Sequence, residues 1–122
     1  MPEIVPSALD DRDHSRACIE ACFHCARTCM DAVISKCLPM GGRHAEAQHL
    51  GLMLGCADLC NAVARYLLST QTLKTKVCGA CAEVCEACAH SCAELGHMDE
   101  CVEACRRCAE ACRRAGMGTA VQ

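Results

Sequence analysis

The chain has 122 residues, of which 52% are apolar, with a formal net charge of −3. That length suits one domain with a modest core. The acidic balance and near-absence of aromatics (Tyr66 and Phe23, no Trp) argue against a nucleic-acid partner, and no apolar run approaches membrane-spanning length. The apolar fraction itself is deceptive. Twenty alanines and 16 cysteines make up more than half of it, while Leu, Ile, Val and Phe together number only 21.

In chain order, residues 1–10, with Pro2 and Pro6, read as an extended or partly helical lead-in. Met1 to Ser7 has no basic start followed by an apolar run, so no export signal is expected and the predicted location is cytoplasmic. A first helix is predicted from about Asp11 to Cys37, stopped by Pro39 and the Gly41-Gly42 pair. It carries the pattern Cys-x-Glu-x-Cys-x-x-Cys-Ala-x-x-Cys at Cys18, Cys22, Cys25 and Cys29. Steps of 4, 3 and 4 are the spacing of one helix face. Cys37 lies eight residues beyond Cys29, off the axis of that stripe.

The second helix is predicted from Arg43 to Leu68. It repeats the frame in degraded form, with Cys56 and Cys60 followed by Val63 and Leu67 where the last two cysteines would stand. Ser69 to Thr72 reads as a connection. The third helix, Leu73 to Leu95 with Gly96 as its cap, carries Cys81, Cys85, Cys88 and Cys92, and Cys78 extends the stripe. The fourth starts near Asp99, a plausible N-cap, and ends before Gly116, with Cys101, Cys105, Cys108 and Cys112 in frame. Residues 117–122 form a tail. Arg106, Arg107, Arg113 and Arg114 alternate with Glu103 and Glu110 on the face opposite these cysteines and read as a solvated surface.

Four helices with short loops predict an all-α, antiparallel up-down-up-down four-helix bundle over residues 11–116. Each cysteine stripe spans roughly 60° of arc and extends about 16 Å along the helix. All four can therefore line one axis, and the alanines beside them permit close helix approach. Up-down connectivity gathers Cys37, Met40, His44, His49, Met53, Cys92, His97, Met98 and Cys101 at one end. The opposite end gathers Cys18, Val63, Leu67, Cys78 and Cys112, where Val63 and Leu67 read as an apolar plug.

A thiol stripe of this kind calls for a soft metal. Disulfides along one stripe are excluded by geometry, because neighbours at i+3 and i+4 stand about 5–6 Å apart at Cβ, beyond the roughly 3.5–4.5 Å a disulfide needs. All-cysteine zinc sites would take four sulfurs each, so about four ions would fit, each leaving two excess negative charges. Copper(I) accepts two or three sulfurs and shares bridging thiolates, so a filling of roughly one ion per thiol leaves the core near neutral. Copper(I) is the better match. The alternatives are a zinc-stabilised structural or interaction module and a thiol redox protein using the Cys-x-x-Cys pairs. No Ser/His/Asp set or paired-carboxylate site is present, so an enzyme is not expected.

His49 and Met53 lie in phase with Cys56 and are candidate ligands at the open end. Met40, His44, His97 and Met98 stand in or beside loops at that end, with ligand and ordinary roles both open. His24 and His90 point away from their stripes, and His14 precedes the first repeat at the plugged end with no expected role. Glu20, Asp58, Glu83 and Glu103 recur in frame on the outer half of each helix, suited to solubility or subunit contact.

Over about residues 11–115 the chain resembles the bacterial four-helix-bundle copper storage proteins, in particular the cytosolic branch. The resemblance implies storage of many copper(I) ions by the cysteines of the four repeats and Cys78, a His- or Met-bearing mouth for copper, and assembly into homotetramers. A copper chaperone or small thiol would serve as exchange partner, with no nucleic acid or membrane involved. Val63 and Leu67 depart from a fully lined tube.

Overall fold

The computed structural model describes the backbone of residues 6–120 and the side chains of residues 12–117. The lead-in residues Met1 to Val5, and Val121 and Gln122 of the tail, lie outside the described residues. Four long helices make up the fold: α1 (Pro6–Ala32), α2 (Ala47–Ser69), α3 (Lys74–Leu95) and α4 (Asp99–Ala120). Each packs against the two that are its neighbours in chain order, with α4 closing the ring against α1. This is the expected antiparallel bundle, and among the described residues there is no strand.

Several boundaries differ from expectation, each for a local reason. α1 begins at Pro6 rather than near Asp11; proline at a first helical position loses no intrahelical hydrogen bond. At its other end α1 runs into a π-helical turn (Val33–Cys37) and a last α-turn (Leu38–Met40), so Pro39 does not stop it directly. In a regular α-helix the Pro39 ring would strike the carbonyl four residues back, and the wide turn relieves that clash. Termination comes at Gly41, with φ 66°. A 3-10 turn (Gly42–Ala45) then delays the start of α2 from Arg43 to Ala47. Asp99 is not a cap but the first residue of α4, where Asp99 and Glu100 meet the positive end of the helix dipole. α4 also continues through Gly116 to Ala120 instead of stopping there.

The π turn has a consequence for the interior. Along an unbroken α-helix Cys37 would stand about 80° round from Cys29. A turn that absorbs one extra residue brings it back to within about 20°. Cys37 is accordingly fully buried, in line with the stripe that its spacing placed it off.

α2 has 23 residues and contains an 18-residue stretch of mean hydropathy 1.2, long and apolar enough to cross a membrane by length and composition alone, contrary to the sequence expectation. It carries Asp58 and Arg65 on its outer side, and it turns His49, Met53, Cys56, Cys60, Val63 and Leu67 inward as one wall of the bundle.

Between the helices, Ala26, Ala57, Ala64, Ala82, Ala89 and Ala109 are buried beside the cysteines and keep the backbones close. The outer faces carry exposed ion pairs, Arg107–Glu103 (3.1 Å) and Arg114–Glu110 (2.8 Å) along α4 and Arg113–Glu86 (2.6 Å) between α4 and α3. These account for three of the four α4 arginines as surface charge. Replacing the fully buried Ala109 by Leu should force α4 outward and lower stability by about 1–3 kcal/mol, measurable as a fall in the anaerobic melting temperature.

Candidate metal centre

All 16 cysteines are free, and none is more than 2% exposed. The alternation of spacings along antiparallel helices stacks them in layers, each drawing on different helices. Cys22, Cys60, Cys81 and Cys108, one from each helix, place their sulfurs within 4.8 Å of one another. The same holds for Cys25, Cys56, Cys60 and Cys85, for Cys25, Cys29, Cys56 and Cys105, and for the trio Cys18, Cys22 and Cys112. Successive groups overlap: Cys22, Cys25, Cys56 and Cys60 each belong to two. The sulfurs therefore form a connected array rather than separate cages. Its shortest contacts are Cys18–Cys112 at 3.3 Å and Cys60–Cys85 at 3.4 Å.

The remaining five cysteines border this array. Cys88 neighbours Cys105 and Cys29, Cys101 neighbours Cys29 and Cys92, and Cys78 neighbours Cys18. Cys37 and Cys92 belong to the layer beyond, at the end that also holds His49 and Met53. There the Met53 Sδ is 3.7 Å from Cys37 Sγ and 4.0 Å from Cys92 Sγ, and His49 Nε2 is 3.6 Å from Cys37 Sγ. The other imidazole nitrogen, Nδ1, lies 2.8 Å from Ser91 Oγ, which fixes the ring so that Nε2 faces the thiols. Burial, and then the neighbouring His44, hold the His49 imidazole below its ordinary value and so favour the neutral form that binds metal.

Four residues at this end were left open by spacing alone. Met98 turns inward and is 1% exposed, whereas Met40 and His97 are exposed. His44 is half-buried, its Nε2 donating to the Gly96 carbonyl at 3.0 Å, and its ring meets that of His49 edge-on at 6.5 Å. As expected from phase, His90 and His24 lie outside, paired with Glu94 and Thr28 respectively.

Val63 and Leu67 are buried at the opposite end, but they are not the whole of it. Lys74 is also buried there, 3% exposed, with its Nζ donating to Ser15 Oγ at 3.0 Å. Ser15 in turn donates to Gln71 Oε1 at 2.8 Å, and Gln71 Nε2 donates to the Leu67 carbonyl at 2.8 Å. The expected apolar plug is thus half of a polar closure. Lys74, Cys78, Cys81 and Cys85 continue the 4-3-4 spacing, a signal that places Lys74 on the inner face, although lysine is a residue usually assigned to solvent. His14 at this end has a buried Nδ1 with no hydrogen-bond partner among the described residues.

Crowding and burial hold many of these thiols protonated. Cys101 is pushed up to about 12, chiefly by the neighbouring Cys29 thiol with burial adding to it, and Cys92 also reaches about 12, through Cys101 and burial. The centrally placed Cys105 and Cys108 lie far above the ordinary thiol range, Cys105 first through Cys25 and Cys108 first through Cys112. Cys112 runs the other way, lowered to about 6 because Cys108, Cys18 and Cys22 donate towards its sulfur. An unfolded thiol ionises near 9.0, whereas Cys92 and Cys101 resist until about 12. The folded chain keeps protons that the unfolded chain releases, so this stabilisation is complete below pH 9.0 and is lost as pH rises towards 12. The anaerobic melting temperature of the metal-free protein should fall across that window; a constant value would mean that these thiols are already ionised in the fold.

Comparison with known proteins agrees with this arrangement. The family model described as copper storage protein matches residues 11–117. The chain is similar to the crystal structure of the Nmul_A1745 protein from Nitrosospira multiformis, with a TM-score of 0.83 and 48% identity over 87% of this chain and 97% of that one. It is also 34% identical over 70 residues to the uncharacterized cysteine-rich protein YhjQ of Bacillus subtilis (strain 168), a match spanning 57% of this chain and 64% of the relative's length. A tube of buried thiols on four helices, matched along nearly its whole length by that family model, makes this chain a member of the copper storage protein family.

Proposed function

We propose that the protein is a cytoplasmic reservoir for copper(I), held by cysteine thiolates inside the bundle at roughly one ion per thiol. The observation that carries this reading is the overlap of the thiol groups, in which Cys22, Cys25, Cys56 and Cys60 each serve two neighbouring sets. Bridging thiolates shared between adjacent ions are natural for two- and three-coordinate copper(I). Tetrahedral zinc takes four ligands per ion, so the same thiols would hold fewer zinc ions than copper(I) ions. Charge leads the same way, since copper(I) and thiolate in near-equal number leave the interior close to neutral. The protein would store its cargo rather than catalyse a reaction, because copper held by thiolates alone offers no open redox position.

Copper would enter and leave at the end holding His49 and Met53, with Cys37 and Cys92 as the first thiols behind them. Met98 is buried at the same end and would serve as a further thioether there. A neutral imidazole and thioethers are weaker partners than thiolates, which suits exchange with a copper chaperone or small thiol. Assembly into a homotetramer is supported by apolar side chains left on the outside of the bundle: Phe23, Met30 and Ile34 on the first helix and its π turn, and Leu54 and Leu68 on α2. A second reading, a zinc-stabilised module, draws on the single layer Cys22, Cys60, Cys81 and Cys108, whose four sulfurs could surround one zinc ion.

Native mass spectrometry of protein from copper-fed cells separates these readings. Storage requires many copper ions per chain, with close to one proton released per thiol engaged. Saturation at one or two copper ions, or about four zinc ions and no copper, would exclude it. Replacing His49 and Met53 together should slow anaerobic copper(I) loading and removal more than it lowers capacity. Lost capacity with unchanged rates would move the mouth elsewhere.

A further inference from the structure

Lys74 stands where a lysine is costly. Its side chain is 97% withdrawn from solvent, yet among the described residues it forms no ion pair; its recorded partner is the neutral Ser15 hydroxyl. A buried ammonium without a counter-charge is strongly unfavourable. It is also the first residue of α3, where the helix dipole already presents positive charge. The residue before it, Leu73, adopts the left-handed conformation (φ 63°, ψ 23°), which is strained for a leucine, and leaves its own side chain 59% exposed. The groove over this end adds Arg12 and Arg16 to the same neighbourhood, with Glu20 as its acidic lining residue.

What lies on the inner side is the end of the thiol array. Cys78 is one helical turn further along α3 and adjoins Cys18, which is 3.3 Å from Cys112. The Lys74 charge already draws the Cys78 thiol downward, against the upward push of Cys18 and burial. Among the described residues no carboxylate pairs with the ammonium before metal binds. When copper(I) binds these thiols, two- and three-coordinate ions sharing few sulfurs leave thiolates in excess at this end, because Val63 and Leu67 supply none of the bridging partners found further along.

We propose that Lys74 is the built-in counter-cation of the copper-thiolate cluster at the closed end, formed by Cys18, Cys78 and Cys112. The inference rests on the storage reading and adds to it. An internal positive charge lets the last layer hold an anionic cluster with more thiolates than copper ions, and it makes metal loading relieve a penalty built into the empty tube. The protein is then set to be less stable empty and more stable full than an all-neutral closure would allow.

The test compares wild type with Lys74→Met and Lys74→Arg, using copper(I) as the probe under anaerobic conditions. Lys74→Met should raise the melting temperature of the metal-free protein, reduce the further rise on copper loading, and retain the last-held copper about tenfold less well against a chelating competitor. Lys74→Arg, which keeps the charge, should retain copper as wild type does. A purely structural Lys74, tying Ser15 to the α2–α3 connection, would instead make metal-free Lys74→Met less stable while leaving copper retention unchanged, and that result overturns the proposal. A lower metal-free melting temperature in both Lys74→Met and Asp11→Asn would overturn it too, by identifying Asp11 as the partner of the ammonium. Failure of wild type itself to bind more than one or two copper ions would defeat the storage reading, whatever the variants do.

Discussion

Sulfur packed against sulfur is the interaction on which the rest of this structure depends. A thiol is a small, weakly polar group that forms poor hydrogen bonds and contributes far less apolar surface than a branched side chain. A fully buried leucine or isoleucine stabilises a fold by about 1.5–3 kcal/mol, and this bundle has replaced most such residues on its axis with cysteine. The helices must therefore come close to fill the space, and the buried alanines beside the cysteines allow it. Close approach in turn sets cysteine sulfurs from different helices 3.3–3.8 Å apart. The spacing that makes the empty protein cohere is also a spacing at which one soft ion bridges two helices. Packing and ligation are thus the same contacts viewed with and without metal, and cohesion given up by the core returns when metal binds.

The two ends of the tube solve opposite problems. At one, a π turn pulls Cys37 into line, and the imidazole of His49 and the thioethers of Met53 and Met98 lie buried beyond the thiol lining. Ser91 holds the His49 ring by Nδ1, so the nitrogen facing Cys37 is Nε2. At the other end the lining stops, and Lys74, Ser15, Gln71 and Leu67 form a hydrogen-bonded closure across α1, α2 and α3. Direction in the bundle arises from this difference in terminal chemistry, because the thiol layers between the ends are much alike.

Charge links the ends to the middle. Empty, the interior keeps many of its thiols protonated, Cys92, Cys101, Cys105 and Cys108 among them, because neighbouring thiols and burial push them upward. Filled, it would exchange those protons for ions of the same charge, which allows a dense array of sulfur to accept metal without gathering net charge in a low-dielectric core. Zinc would leave excess charge at every four-sulfur site. The overlapping groups of Cys22, Cys25, Cys56 and Cys60 suit shared ligands better than separate cages.

Much of this was legible in the sequence, because a helix translates spacing directly into direction: the 4-3-4 frame identified four helices, put fifteen cysteines on one axis, and brought His49 and Met53 to the same end as Cys92. The frame reached Lys74 as well, but lysine ordinarily belongs to solvent, and only the tertiary structure revealed that Ser15 and Gln71 hold it inside. Cys37 was out of reach for a different reason. Its position depends on one extra residue absorbed in a wide turn beside Pro39, a backbone irregularity that periodicity cannot express. The sharing of sulfurs between layers, the inward turn of Met98 and the Ser91 contact to His49 were likewise decided by how the helices meet. Sequence by itself determined which side chains face the axis, since that is a property of one helix; which of them touch was left to the packing of four.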